Sequence, residues 1–288
     1  MRIKLIIILS LLSIQFVLAQ NGLAVPIKKT VTIAEYFHFI DSLIVQYDSL
    51  YTSQISEHHI VRNNPWIIDS LANTDYYRMT ERDSFVYDQK KLIILRVNDT
   101  IIIPDHDRVV ELDSTFKHTH IDVNIPEFKL RIFQDNQLIE EFPIRVGQNK
   151  KRYLAMSGRL TDLKTKTGNG EIIRHNRNPI YFNPVNGERF YVTRRDDDRV
   201  TLMPQIPWME TRINGVKNGQ MIHPTTNPET LEKAYSNGCI GTRESDAWII
   251  YYYAPIGTSI QIRYDIDVAG ENGNRVKLPD VYGNKSQL

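Results

Sequence analysis

From residue 31 to 51 the apolar positions Ile33, Tyr36, Phe37, Ile40, Leu43, Ile44, Tyr47 and Leu50 recur at intervals of three and four, one face of an amphipathic helix. Thr32 stands as its N-cap, and Glu35, three residues on, completes a capping box. A second helix is predicted over about 56–71, started or interrupted by Pro65, whose ring does not fit a helix interior. Residues 91–104 hold two short β-type runs around Asn98-Asp99 and predict a hairpin. The stretch from Asp105 to Thr119 is polar, with His106, His118 and several Asp, and reads as a linker.

At His120 the period changes. Ile121, Val123 and Ile125 alternate with polar residues, and Phe128, Leu130 and Ile132 do the same after Pro126. A turn at Asp135-Asn136 leads into the run 138–146, a β-hairpin reading. Residues 147–220 combine Gly, Pro and Asn with short apolar stretches, as in a β domain with long loops. A helix is predicted over 243–253, with Glu244 and Asp246 in a first turn whose dipole favours acids. Ala254-Pro255 ends it, residues 258–264 alternate as a last strand, and a polar Gly/Asn-rich tail, expected to be loose, follows from Asp265. The pattern predicts a mainly β domain with a few short helices, preceded by a small α+β or helical N-terminal region.

The first residues read as an export signal at 1–19. Arg2 and Lys4 precede an apolar run from Leu5 to Leu18 broken only by Ser10, Ser13 and Gln15, and Val17-Leu18-Ala19 supplies a cleavage site before Gln20. The run is shorter than the ~18–20 apolar residues of a spanning helix, which argues against an uncleaved anchor. After cleavage the chain is expected to have no stable membrane insertion and to reside in the periplasm or cell envelope. Acidic and basic residues nearly cancel, at 34 against 35, so nothing points to nucleic acid as a partner.

Against an exported background the cysteine count changes the picture. Structural thiols in such proteins pair, yet this chain has a single Cys, leaving either a small buried hydrophobe or a reactive thiol. Cys239 lies in Tyr235-Ser-Asn-Gly-Cys-Ile240, just before the predicted helix. A helix N-terminus or nearby imidazole lowers a thiol's pKa, and Gly238 leaves room for a substrate carbonyl and for backbone N–H groups as an oxyanion hole. All eight His precede Cys239, which excludes the papain order of nucleophile and base. His223, 16 residues upstream in Met221-Ile-His-Pro-Thr-Thr226, follows an apolar pair that reads as a strand end, a position from which an imidazole can serve a neighbouring loop.

His223 with Ser236-Asn-Gly-Cys239 resembles the signature of the L,D-transpeptidase catalytic domain family (YkuD/ErfK-type): a His, a gap of some fifteen residues, then Ser/Thr-x-Gly-Cys and an aliphatic residue. The resemblance extends over about 120–265, through Ile121-Asp-Val, Phe142-Pro-Ile-Arg-Val-Gly147, Thr167-Gly-Asn-Gly170, Pro207-Trp-Met209 and Gly257-Thr-Ser-Ile-Gln-Ile262. Three positions depart from it. Asn237 stands where His is common, Gly241 where an Arg often follows the aliphatic residue, and Pro224 where Gly usually follows the His. The nearest Arg to the missing one is Arg243.

The resemblance implies a β-sandwich of the L,D-transpeptidase type and a cysteine acyltransferase acting on peptidoglycan tetrapeptide stems as donor and acceptor, with no metal and no organic cofactor. It implies Cys239 as nucleophile and His223 as base, with Gly238, Ser236, Asn237 and Arg243 around the oxyanion and substrate. Hydrolysis of the thioester would make the enzyme an L,D-carboxypeptidase. The resulting organisation is a signal at 1–19, an accessory region at 20–105, a linker at 106–119, a catalytic domain at 120–265 and a polar tail at 266–288. Asn63-Asn-Pro65 and Asn98-Asp-Thr-Ile-Ile-Ile-Pro104 resemble the middle and end of a LysM peptidoglycan-binding module, with a helical spacer as the other reading. A sortase-like enzyme would instead use His175, 64 residues upstream of the thiol in a polar segment, but the Thr-Leu-x-Thr-Cys type of motif is missing. A non-catalytic wall-binding protein would be marked by loss of Cys or His, and neither is lost. His118-Thr-His120 offers two imidazoles without a third ligand, which fits an exposed linker better than zinc.

Overall fold

Eight strands form one sheet in the computed structural model, which describes residues 22–51, 54–270 and 272–283. They are β1 (Thr119–Asn124), β2 (Lys129–Gln134), β3 (Gln137–Pro143), β4 (Gly168–Asn176), β5 (Trp208–Ile213), β6 (Met221–Pro224), β7 (Ile240–Thr242) and β8 (Ser259–Arg263). Their order is β7-β6-β5-β4-β8-β1-β2-β3. Only β6–β7 and β8–β1 run parallel. The alternation read from the sequence sets the faces: Ile121, Val123, Leu130 and Ile132 are fully buried. Asp135 and Asn136 both take positive φ, 49° and 62°, as a two-residue hairpin turn between β2 and β3 requires. Just beyond β3, Arg145 bridges to Gly241 of β7, with N–H···O contacts of 2.9 and 3.0 Å in both directions. The two edges of the sheet therefore meet. The expected mainly β architecture with few helices is what the chain adopts. The export signal expected at 1–19 lies outside the described residues, and among those no helix is long and apolar enough to cross a membrane.

Among the described residues six α-helices accompany the sheet: α1 (Ile33–Tyr47), α2 (Glu57–Arg62), α3 (Trp66–Ala72), α4 (Tyr76–Thr80), α5 (His106–Lys117) and α6 (Glu244–Tyr253). α1 starts where its capping chemistry predicts, the Glu35 carboxylate accepting from the Thr32 N–H at 3.1 Å and hydroxyl at 2.9 Å. Pro65 interrupts the next helical pattern, separating α2 from α3. Asn64, within the LysM-like stretch, stitches α2 to the strand Thr100–Pro104, accepting from the Ile102 N–H at 2.9 Å and donating to the Ile102 carbonyl at 2.8 Å.

Three expectations are corrected. The turn at Asn98-Asp99 forms, with Asn98 at φ 76° and Asp99 accepting from the Arg96 N–H, but its two arms do not pair with each other. Ile93–Leu95 pairs with Val31–Thr32, and Thr100–Pro104 with Gly22–Pro26, because the chain upstream offers each arm a separate partner. The stretch expected as a linker is α5, capped by Asp105, whose carboxylate accepts from the Arg108 N–H at 2.8 Å. Only Val109 and Leu112 bury, too thin an apolar stripe to announce a helix. The tail expected to be loose pairs Asp267–Ala269 with Arg275–Lys277, and Tyr282 returns to the core.

Sequence boundaries at 105 and 120 cross a single apolar core. α6 is buried on nearly every side. Phe37 packs its ring 6.0 Å from Trp248, and the hydroxyls of Tyr36 and Tyr252 are hydrogen-bonded at 2.7 Å in the interior. Asp75 accepts from the Ser245 N–H at 2.9 Å and Glu244 from the Tyr76 N–H at 3.1 Å, so the N-terminal region caps α6. A fragment of residues 115–288 would leave the Trp248, Tyr251 and Tyr252 face uncovered, an apolar patch that soluble chains rarely tolerate. It is expected to lack a cooperative thermal transition and to bind a hydrophobic dye; a sharp transition at the full chain's midpoint would contradict the shared core.

Candidate active site

Strand register decides which side chains meet. In the parallel pair β6–β7, Ile222 lies opposite Ile240 and His223 opposite Gly241. Cys239 immediately precedes β7, so the two-residue alternation of a strand puts it on the face shared by Gly241 and His223. Thiol and imidazole are diagonal neighbours across one pair of strands, a spacing of ~7–8 Å between backbones that side chains can close. Arg145, opposite Gly241 on its other side, joins the same row.

The other face carries a second row. His175, Met209, Ile222 and Ile240 are successive partners across β4, β5, β6 and β7. His175 therefore points away from Cys239. Although its segment is polar, its ring is half-buried: its Nε2 bonds the Ala254 carbonyl at 3.1 Å and its ring lies 4.5 Å from Tyr251. This removes the base that a sortase-like arrangement would need. Glu57, His58 and His175 bring their ligand atoms within 4.8 Å of one another, beside a cavity of about 880 Å³. The Glu57 carboxylate, however, is engaged by the Arg177 guanidinium at 3.1 Å and by the Tyr251 hydroxyl, which suits a polar seam between α2, β4 and α6 better than a cation.

The turn before the thiol is built by side chains. Ser236 Oγ accepts from the Gly238 N–H at 3.2 Å and donates to the Cys239 carbonyl at 2.6 Å. Gly238 sits at φ 113°, a backbone that side chains rarely adopt. Thr165, which the sequence reading passed over, donates to the Gly238 carbonyl at 3.0 Å and accepts from the Gly147 N–H at 2.8 Å. Tyr282 from the tail completes the clamp, accepting from the Thr165 N–H at 3.1 Å and donating to the Gly147 carbonyl at 2.8 Å. Gly147 cannot carry a side chain, since a Cβ there would lie 2.9 Å from the Gly238 Cα and 1.9 Å from the Leu163 carbonyl oxygen.

One expectation about this turn changes. The thiol does not stand at a helix N-terminus: β7 intervenes, and the first turn of α6 is already served by Asp75. Arg243 lies exposed at the α6 N-cap, its charge acting on Asp246. Asn237 is half-buried in the turn. Among the backbone N–H groups of this turn, that of Gly238 already donates to Ser236 Oγ.

His223 Nδ1 lies 2.8 Å from the Pro224 carbonyl, an acceptor only. The ring proton therefore belongs on Nδ1 and the Nε2 lone pair is left available. The Trp208 ring packs 5.1 Å from the imidazole. Burial, with the Arg145 charge adding to it, brings the imidazole pKa down to about 4. Burial pushes the thiol up, opposed by the Met221 N–H and by Arg145. At neutral pH the pair rests as thiol and neutral imidazole, and no ion pair forms before proton transfer.

Arg145 is the neighbour that sequence reading missed. Its Nη1 donates to Thr230 Oγ1 at 3.0 Å, its Nε is buried without a partner, and it takes part in none of the ion pairs among the described residues. The signal that could have found it is Gly241: a Cβ there would lie 2.6 Å from Arg145 Nε and 2.7 Å from its Cγ. The side chain of Arg145 fills the space that Gly241 leaves open.

A sequence profile of the L,D-transpeptidase catalytic domain (YkuD) matches residues 118–262, half of the chain. No curated protein matches. Among solved structures the chain is similar to an L,D-transpeptidase from Mycobacterium smegmatis, at 14% identity and TM-score 0.35 over 51% of this chain and 58% of that one. It is similar to one from Mycobacterium tuberculosis at 16% and 0.34 over 51% and 57%, and to one from Xylanimonas cellulosilytica at 10% and 0.37 over 83% and 97%. The chain thus spans under two thirds of the mycobacterial structures it matches. The profile, His223 and Ser236-Asn-Gly-Cys239 included, makes this chain a member of the L,D-transpeptidase catalytic domain family.

Proposed function

We propose that this protein is an exported peptidoglycan L,D-transpeptidase with Cys239 as nucleophile and His223 as general base. The observation that carries the reading is the oriented imidazole: Nδ1 is tied to the Pro224 carbonyl, and Nε2 is left free on the face of the sheet that Cys239 shares. His223 Nε2 takes the Sγ proton as sulfur attacks the carbonyl carbon of the third residue of a tetrapeptide stem. The oxyanion forms at the Cys239 N–H, with the backbone held open by Gly238. Collapse breaks the peptide bond, and His223 returns its proton to the departing amine of the terminal D-residue. An amine of a second stem then attacks the thioester, loses a proton to His223 and releases the thiol. Ser236 and Thr165 hold the turn during both attacks, and export by residues 1–19 delivers the enzyme to the envelope.

Incubation with a disaccharide-tetrapeptide is expected to release the terminal D-residue and yield cross-linked dimers, read by chromatography and mass spectrometry. Tripeptide monomers alone would mean that water is the acceptor and that the enzyme is an L,D-carboxypeptidase. Absence of any released D-residue would reject the reading.

A further inference from the structure

A half-buried arginine that makes no ion pair among the described residues and buries its Nε without a partner needs an explanation, because an unpaired buried donor is costly. Arg145 is such a residue. Its backbone bridges Gly241, its side chain lies across the bare Gly241 backbone, and Gly241 is the central member of the row that ends in His223. One guanidinium nitrogen is engaged by the neutral hydroxyl of Thr230, and Nε has no partner. The groups whose negative forms its charge feels are Cys239 first, then Tyr235 and Asp196. On the other side it acts against protonation of His223. Tyr235 is exposed, and Asp196 is engaged by Asn227 and by the Glu229 N–H. That leaves the sulfur as the anion that Arg145 is built to meet.

We propose that Arg145 is the electrostatic partner of Cys239, its guanidinium laid across Gly241 to hold the negative charge that forms on sulfur as the proton leaves. Arg145 is a positioning residue for the nucleophile, and Gly241 is the notch that admits it. Gly241 stands where an Arg often follows the aliphatic residue in the family's pattern, and here a cation reaches the site from the segment just beyond β3. The inference rests on the reading of Cys239 as nucleophile, and it concerns the thiol's chemistry and not the identity of the substrate.

The experiment is the rate of alkylation of Cys239 by iodoacetamide against pH in the full chain, with thermal melts alongside. Arg145→Gln is expected to move the rising limb of the profile about one pH unit upward, slowing alkylation ~10-fold below it. Arg145→Lys keeps most of the wild-type profile. The exchange Arg145→Gly with Gly241→Arg restores the cation from the other strand and should recover the limb. Should Arg145→Gln fail to fold, Gly241→Ala pushes the guanidinium aside without changing charge and is expected to slow alkylation in the same direction. Unchanged profiles in folded Arg145→Gln, or in Gly241→Ala, would reduce Arg145 to a tether for Thr230 and overturn the proposal. Loss of D-residue release from wild type, with the profile shifts intact, would reject the substrate assignment and leave this inference standing.

Discussion

Cys239→Ala is expected to abolish covalent capture of the tetrapeptide donor, with wild type gaining the mass of the acyl fragment and the variant gaining none. The thiol is the only cysteine of the chain, so no second sulfur can substitute. It sits on a turn fixed from three sides, by Ser236 within the turn, by Thr165 across it and by Tyr282 behind. Alanine keeps the Ser236–Cys239 backbone contact, which uses the main-chain carbonyl of position 239, so the turn survives and only the nucleophile is lost. Removing a nucleophile costs on the order of 10⁴-fold or more in rate. Intact-protein mass spectrometry decides the matter, and an adduct persisting in Cys239→Ala would place the chemistry elsewhere.

The second large effect is expected at the base. His223→Ala should slow acylation ~10²–10⁴-fold, whereas His175→Ala should leave acylation of the folded protein near wild type. The two imidazoles lie on opposite faces of the sheet, one tied to Pro224 in the cysteine row and the other to Ala254 against α6. The pH profile gives a further check. The His223 imidazole is useful only when neutral, and its pKa is brought down to about 4 from an ordinary value of 6.5. Wild-type acylation should therefore hold as pH falls through 6.5 and drop only as it passes about 4, when Nε2 becomes protonated. That acid limb should disappear in His223→Ala. Loss of acylation in His175→Ala with retention in His223→Ala would restore the sortase-like arrangement.

The features legible in the sequence are those set by neighbours in the chain. The three-and-four spacing from Ile33 and the Thr32–Glu35 pair foretell α1, because a helix and its cap are closed within a few residues. Asp135-Asn136 foretells its hairpin because these residues tolerate positive φ. Ser236-Asn-Gly-Cys239 and His223 point to the chemistry because their spacing reflects one local turn and one strand end. Register and burial lie beyond such signals. Only the pairing of β6 with β7 puts thiol and imidazole on one face and sends His175 to the other, since a shift of one residue would exchange every side chain between faces. The arms around Asn98-Asp99 find partners near the N-terminus, and polar α5 becomes a helix by docking two side chains. The place left by Gly241 reads in sequence as a missing arginine. Only the bridge between β7 and the chain after β3 fills it with Arg145, because a cation's partner is fixed by where the folded backbone brings it.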